Sequence, residues 1–169
     1  MKVLVVFATK SGSTAEVAAW IAEGIETGGH KATVKSAQEA PGPQGYDVVF
    51  VGSGIRAGNW HAVATTWLRR HIEALKQLPV VTFTSSLLAA DPTPKTVVEV
   101  AEYTTRVTEP LGLTPVAHGS LVGAYDPAKM SFAERLIMKA MNMNSYTDKR
   151  DPEAVRLWAQ HAMESITNP

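Results

Sequence analysis

The chain has no cysteine. Disulfides, iron–sulfur clusters and thiolate chemistry are therefore excluded. It has no excess charge of either sign, since 16 Lys and Arg are matched by 16 Asp and Glu. With no basic run either, the electrostatic footprint of nucleic-acid binding is missing, and no nucleic acid is expected as a partner. No apolar run approaches the roughly 20 residues of a membrane-crossing helix. The apolar stretch after Met1-Lys2 is too short for a signal-peptide core and lacks a small-residue cleavage site. The expected location is the cytoplasm, with peripheral contact at the inner face of the membrane as the most that lipid would see. Repeats and low-complexity segments are also missing.

What is present suits one domain spanning 1–169: 169 residues, 45% hydrophobic and 19% charged. A chain of this length buries a substantial core without outside help. Residues 3–7 are continuously apolar and β-branched, as in a strand covered on both faces of a parallel sheet. Residues 15–26 show helical spacing through Val17, Ile21 and Ile25, and Gly28-Gly29 stops the helix.

Residues 31–36 alternate like a short edge strand, and 46–53 form a second buried strand. A helix follows over 62–77, with Val63, Trp67, His71 and Leu75 on one stripe. Residues 79–85 are the next strand, and 93–111 a helix with Pro94 in its first turn. Residues 115–122 are the last strand. The last helix spans 151–166, capped by Asp151 with Pro152 at its first position.

Strands alternating with helices signal a parallel, doubly wound sheet between two helical layers. Five strands with a short second one match the order 2-1-3-4-5, a three-layer α/β sandwich. Ligands of such sheets sit beyond the carboxyl ends of the strands, at the switch between the first and third.

The first loop at that end is Thr9-Lys10-Ser11-Gly12-Ser13-Thr14. A phosphate there meets unpaired helix N-terminal N–H groups and the positive end of the helix dipole. Four hydroxyls stand within reach, and Gly12 lets the backbone close around a ligand. The loop is neither a Walker loop nor GxGxxG, which argues for a monophosphate over a dinucleotide or ATP. The plainer alternative is a helix N-cap, for which one hydroxyl suffices.

The second loop, residues 53–61, offers backbone N–H groups at Gly58 and Asn59, an aromatic face at Trp60 and a cation at Arg56. Trp60 would serve equally to pack the start of the next helix, Arg56 to form a surface ion pair, and His61 simply to begin the helix. The third loop begins Ser85-Ser86-Leu87-Leu88-Ala89 and carries no tyrosine.

Thr-x-Ser-Gly-x-Thr after the first strand resembles the FMN-phosphate loop of flavodoxins. That resemblance implies a flavodoxin-like fold with FMN as cofactor, and no metal. It places the phosphate on Thr9, Lys10, Ser11, Gly12, Ser13 and Thr14. The isoalloxazine would lie between Ser53, Gly54, Ile55, Arg56, Gly58, Asn59 and Trp60 on one side and Ser85, Ser86, Leu87, Leu88 and Ala89 on the other. Carrier flavodoxins often stack a tyrosine from the third loop; Leu87 and Leu88 here would leave one ring face open.

The resemblance goes further. Gly52-Ser53-Gly54-Ile55-Arg56-Ala57-Gly58-Asn59-Trp60-His61, then Ser85-Ser86-Leu87-Leu88-Ala89, then Gly119-Ser120-Leu121-Val122-Gly123-Ala124-Tyr125 before an apolar helix over 132–139, are similar to the menaquinone-dependent protoporphyrinogen dehydrogenase family. This covers nearly the whole chain. It implies oxidation of protoporphyrinogen IX with electrons passed to a membrane quinone, Arg56 stabilising the reduced flavin or pairing with a substrate carboxylate. The segment 124–128 departs from the family, being sparse in the Arg, Tyr and Trp found there in the haem enzymes.

Residues 123–148 form a long connection after the last strand. Phe132, Leu136, Ile137, Ala140, Met141 and Met143 make an apolar stripe that would pack on the sheet edge, form a homodimer contact, or cover the flavin, a quinone tail or lipid. Two function classes follow: an FMN oxidoreductase acting on a reduced organic substrate and a quinone, or an electron carrier docking to redox partner proteins.

Overall fold

The computed structural model describes residues 1–129 and 146–168, with Arg135, Leu136 and Lys139 between them. In chain order the elements are β1 (Lys2–Ala8), α1 (Ser13–Thr27), β2 (Lys31–Ser36), β3 (Val48–Arg56), β4 (Asn59–Trp60), α2 (Ala62–Leu75) and β5 (Val80–Ser86). They continue as α3 (Pro94–Thr108), β6 (Ala117–Val122), β7 (Ala124–Tyr125), β8 (Thr147–Asp148) and α4 (Pro152–Thr167).

The sheet runs β2-β1-β3-β5-β6, with every one of these pairings parallel. Counting only the long strands, this is the 2-1-3-4-5 order read from the sequence. The short β4 pairs antiparallel with the end of β3.

Although the strands read as unbroken apolar runs, their residues alternate between two cores. Val3, Val5, Phe50, Val81 and Phe83 pack against Val17, Ile21 and Ile25 of α1 and Val155, Ala159 and Met163 of α4. Leu4, Val6, Val49 and Val51 face Trp67, Leu68 and Leu75 of α2 and Val100 and Tyr103 of α3. Each such side chain taken fully out of water contributes roughly 1.5–3 kcal/mol before chain entropy is charged against it. Three layers result, and the carboxyl ends of β1, β3 and β5 open at one edge of the molecule.

Several boundaries differ from the sequence reading by one to three residues, three of them for a visible reason. β3 runs to Arg56 because Ile55 and Arg56 gain Trp60 and Asn59 as ladder partners. α3 stops at Thr108 and gives way to a tighter turn, Glu109–Leu111. Pro110 in that turn has no N–H to continue an α-helical ladder. α1 begins at Ser13, so the last two residues of the hydroxyl loop belong to the helix.

Asp151 caps α4 as expected, accepting from the Glu153 and Ala154 N–H groups with Pro152 in the first turn. The connection 123–148 is closed at its base by the β7–β8 ladder. Within it, Phe132, Ile137, Ala140, Met141 and Met143 lie outside the described residues, while Leu136 is 60% exposed. Among the described residues no helix is long and apolar enough to cross a membrane.

Candidate cofactor site

The loop after β1 turns on Gly12, which adopts φ +91° and is the N-cap of α1 without any side-chain cap. A left-handed N-cap is cheap only for glycine. The loop's hydroxyls do not serve as helix caps. Thr9 Oγ1 accepts from the Gly12 N–H at 3.0 Å, and Ser11 Oγ and Ser13 Oγ lie 3.3 Å apart. Among the described residues, nothing accepts from the N–H groups of Ser13 and Thr14. These are first-turn donors at the positive end of the helix. Open N–H groups, three partly buried hydroxyl residues and Lys10 in the same loop form the donor set that a phosphate dianion needs.

Arg150, which no sequence pattern singled out, supports this loop from behind. Its side chain is 7% exposed, and Nη1 donates to Ser13 O at 2.9 Å. Nε and Nη2 grip both oxygens of Asp148 at 2.9 and 2.6 Å, and Nη2 also meets Glu16 Oε2 at 2.7 Å. Hydrogen bonds from Arg150, above all, hold the Asp148 carboxyl well below the usual carboxylate range.

The second loop proves to be a hairpin. Ala57 and Gly58 both take positive φ, +48° and +73°, as a two-residue type I′ turn requires. Asn59 Nδ2 donates back to Ala57 O at 2.8 Å. Ser53 is fully buried; its hydroxyl donates to Gly54 O and accepts from the His61 N–H, tying β3 to the start of α2.

Gly54 sits where the two loops meet. A Cβ there would come within 2.8 Å of Thr14 Oγ1 and 3.8 Å of His61 Nε2. Burial, then the charges of Arg56 and Lys10, push the His61 imidazole below its ordinary value. Arg56, Lys10 and His61 therefore share one electrostatic neighbourhood beside Thr14, and Arg56 is exposed. Ile55 is half-buried against the α2–α3 core.

Trp60 does not offer a stacking face. It is 5% exposed within the α2–α3 core, and its Nε1 donates to Thr84 Oγ1 at 3.2 Å. The helix-start packing alternative describes its place. From Thr84 a buried polar chain runs on: Thr84 to Thr104 at 3.0 Å, Thr104 to His118 Nδ1 at 3.3 Å, and Thr82 to the same nitrogen at 3.0 Å. Burial pushes His118 below its ordinary value, with a hydrogen bond at Thr82 acting the other way. Thr82 and Thr84 alternate along a wholly buried strand, and that pattern in the sequence calls for buried partners, since buried hydroxyls need them.

The third loop is a 3-10 turn over Leu87–Ala90, capped by Ser86 Oγ, which accepts from the Leu88 N–H. Leu88 is exposed, while Leu87 and Ala89 are half-buried. Ser85 Oγ is buried and, among the described residues, without a partner. A cavity of about 370 Å³ lies against α3, lined by Glu99, Tyr103 and Arg106, and shares only Gly58 with the three loops.

The flavodoxin-domain family model matches residues 4–153. Protoporphyrinogen IX dehydrogenase [quinone] of Escherichia coli strain K12 is 31% identical over 98 residues, 57% of this chain and 54% of the relative. The chain thus matches about half the length of the curated relatives. Among solved structures, a flavodoxin from the domain Archaea superposes with TM-score 0.60 at 18% identity, covering 99% of this chain and 100% of that one. Two-electron reduced flavodoxin of Megasphaera elsdenii gives 0.61 at 16% identity, over 96% and 98%. At those identities the likeness speaks for the fold. A single family match running through the loop after β1, the hairpin and the third loop makes this chain a member of the flavodoxin-domain family.

Proposed function

We propose that this chain binds FMN at the carboxyl end of its sheet and acts as an oxidoreductase. In this reading it takes two electrons from a reduced organic substrate, a porphyrinogen being the candidate, and passes them to a quinone. The observation that carries it is the α1 N-terminus: open N–H groups behind a left-handed Gly12, flanked by hydroxyls, in a flavodoxin-domain chain. When bound, FMN supplies the redox chemistry, its ring taking up and returning electrons.

The chain's own residues supply binding and charge. Thr9, Lys10, Ser11, Gly12, Ser13 and Thr14 hold the phosphate in this proposal. The hairpin residues Gly54, Arg56, Gly58 and Asn59 and the loop Ser85–Ala89 border the ring. Arg56 meets negative charge on the reduced ring or a substrate carboxylate. His61, with its pKa lowered by burial and by both cations, favours its neutral form near pH 7. The porphyrinogen and quinone are supported by the dehydrogenase relative and by the exposed Arg56. Cytoplasmic placement belongs to the same proposal.

Anaerobic mixing of the purified FMN-loaded protein with protoporphyrinogen tests the substrate, and a menaquinone analogue tests reoxidation. Flavin bleaching followed by recovery is expected. Absence of bleaching would remove the porphyrin from the proposal. A redox titration separates the carrier class: one two-electron step fits the enzyme, whereas two well-separated one-electron steps fit a carrier. The balance of 16 basic and 16 acidic residues argues against a carrier steered by a strongly acidic face.

A further inference from the structure

The Arg150 guanidinium is committed to three groups. It donates to Ser13 O, grips Asp148 with two nitrogens, and pairs with Glu16. Its carbon also lies 5.0 Å over the Trp20 ring. Planarity and a fork of donors let arginine satisfy all of these at once, where a lysine ammonium would have to choose.

Two features connect this cluster to the phosphate end of the site. The Ser13 carbonyl that Arg150 holds lies in the same planar peptide as the Thr14 N–H, one of the open donors of the first turn of α1. Glu16 stands in the first turn of the same helix, about 4.5 Å further along the axis at 1.5 Å per residue. Without a counter-ion, Glu16 and Asp148 would place two negative charges beside the helix end that is to receive a dianion. Repulsion of that kind acts over several ångströms in a partly buried setting.

We propose that Arg150 is a positioning residue for the phosphate end of the cofactor site. It fixes the Ser13 peptide and cancels the charges of Glu16 and Asp148, so that the α1 N-terminus remains attractive to a phosphate dianion. Because Asp148 belongs to β8, which pairs with β7, the same side chain fastens the base of the connection 123–148 to the phosphate loop. The inference rests on the FMN reading.

FMN and riboflavin differ only in the phosphate, so titrating both by flavin fluorescence isolates this effect. Arg150→Gln is expected to weaken FMN about tenfold, the weight of one partly screened charge, while riboflavin stays within about twofold. Arg150→Lys should keep more of the FMN preference than Gln does. Adding Glu16→Gln to Arg150→Gln should restore part of it. Glu16→Gln alone, on an exposed carboxylate that leaves the brace to Asp148, should tighten FMN about twofold over riboflavin, and more at low salt.

Parallel weakening of both flavins by Arg150→Gln would overturn the proposal, leaving only a folding brace. So would an unchanged FMN-to-riboflavin ratio in Glu16→Gln, should the arginine variants fail to fold. A wild-type chain that binds neither flavin overturns the FMN reading and this inference together. One that binds FMN with ratios insensitive to these substitutions overturns this inference alone.

Discussion

The two loops that face each other across Gly54 hold their shapes by different means. The loop after β1 is built from adjacent residues: a left-handed Gly12, the Thr9 hydroxyl on its N–H, and the first open turn of α1. The hairpin is pinned from a distance, its Trp60 indole held by Thr84 and through it by Thr104 and His118. One loop leaves the first N–H groups of a helix open, and the other commits its indole donor inside the fold. Open backbone donors are therefore concentrated at the start of α1, while buried polar bracing is concentrated under the hairpin. Substitutions at the two should separate binding from folding.

The largest effect should come from Gly12→Val. A β-branched side chain at φ +91° costs about 1–3 kcal/mol unless the loop moves, and holding the loop in its binding shape against that cost is about five- to 150-fold in FMN affinity. Fluorescence titration reads it, and an undiminished affinity would mean that the loop does not hold the phosphate. Next is Thr84→Val, which strands the Trp60 indole N–H in the core. Stability in urea should fall by about 1–3 kcal/mol while the FMN-to-riboflavin ratio stays fixed. A changed ratio with unchanged stability would reverse the roles of the two loops.

The third effect depends on pH. Burial favours neutral His118 in the folded chain, so the unfolded chain binds the proton more readily. The stability this group contributes is full above about pH 6.5, its unfolded value, and is lost as pH falls toward the lower folded value. The slope is at most about 1.4 kcal/mol per pH unit, and His118→Gln should flatten that part of the profile. The smallest effect belongs to Arg156→Ala, which removes the pair with Glu23 between α4 and α1. Both side chains are open to solvent, and the urea midpoint should barely move.

Much of the fold is legible because parallel strands are local and continuous: Val3–Phe7 and Val48–Val51 announce themselves as buried on both faces. The loop after β1 is legible as a candidate site for the same reason, its hydroxyls and Gly12 lying side by side in six residues. The hairpin is not, because Ala57-Gly58 lacks the Asn-Gly signal of a type I′ turn, and the strand pairing that defines it is a tertiary outcome. Trp60 illustrates the cost: in sequence it stands in a loop that the resemblance assigns to the flavin, yet a period-two ladder turns its ring into the core. Arg150 was beyond reach because its partner Ser13 lies 137 residues away, and charge pairing at that range leaves no pattern in the chain.

The most direct test of the account is the visible spectrum of the purified chain titrated with FMN and, separately, riboflavin. A yellow complex that saturates at one FMN per chain is expected, and a clearly weaker one with riboflavin. A chain that stays colourless with FMN, or binds the two flavins equally well, would contradict it.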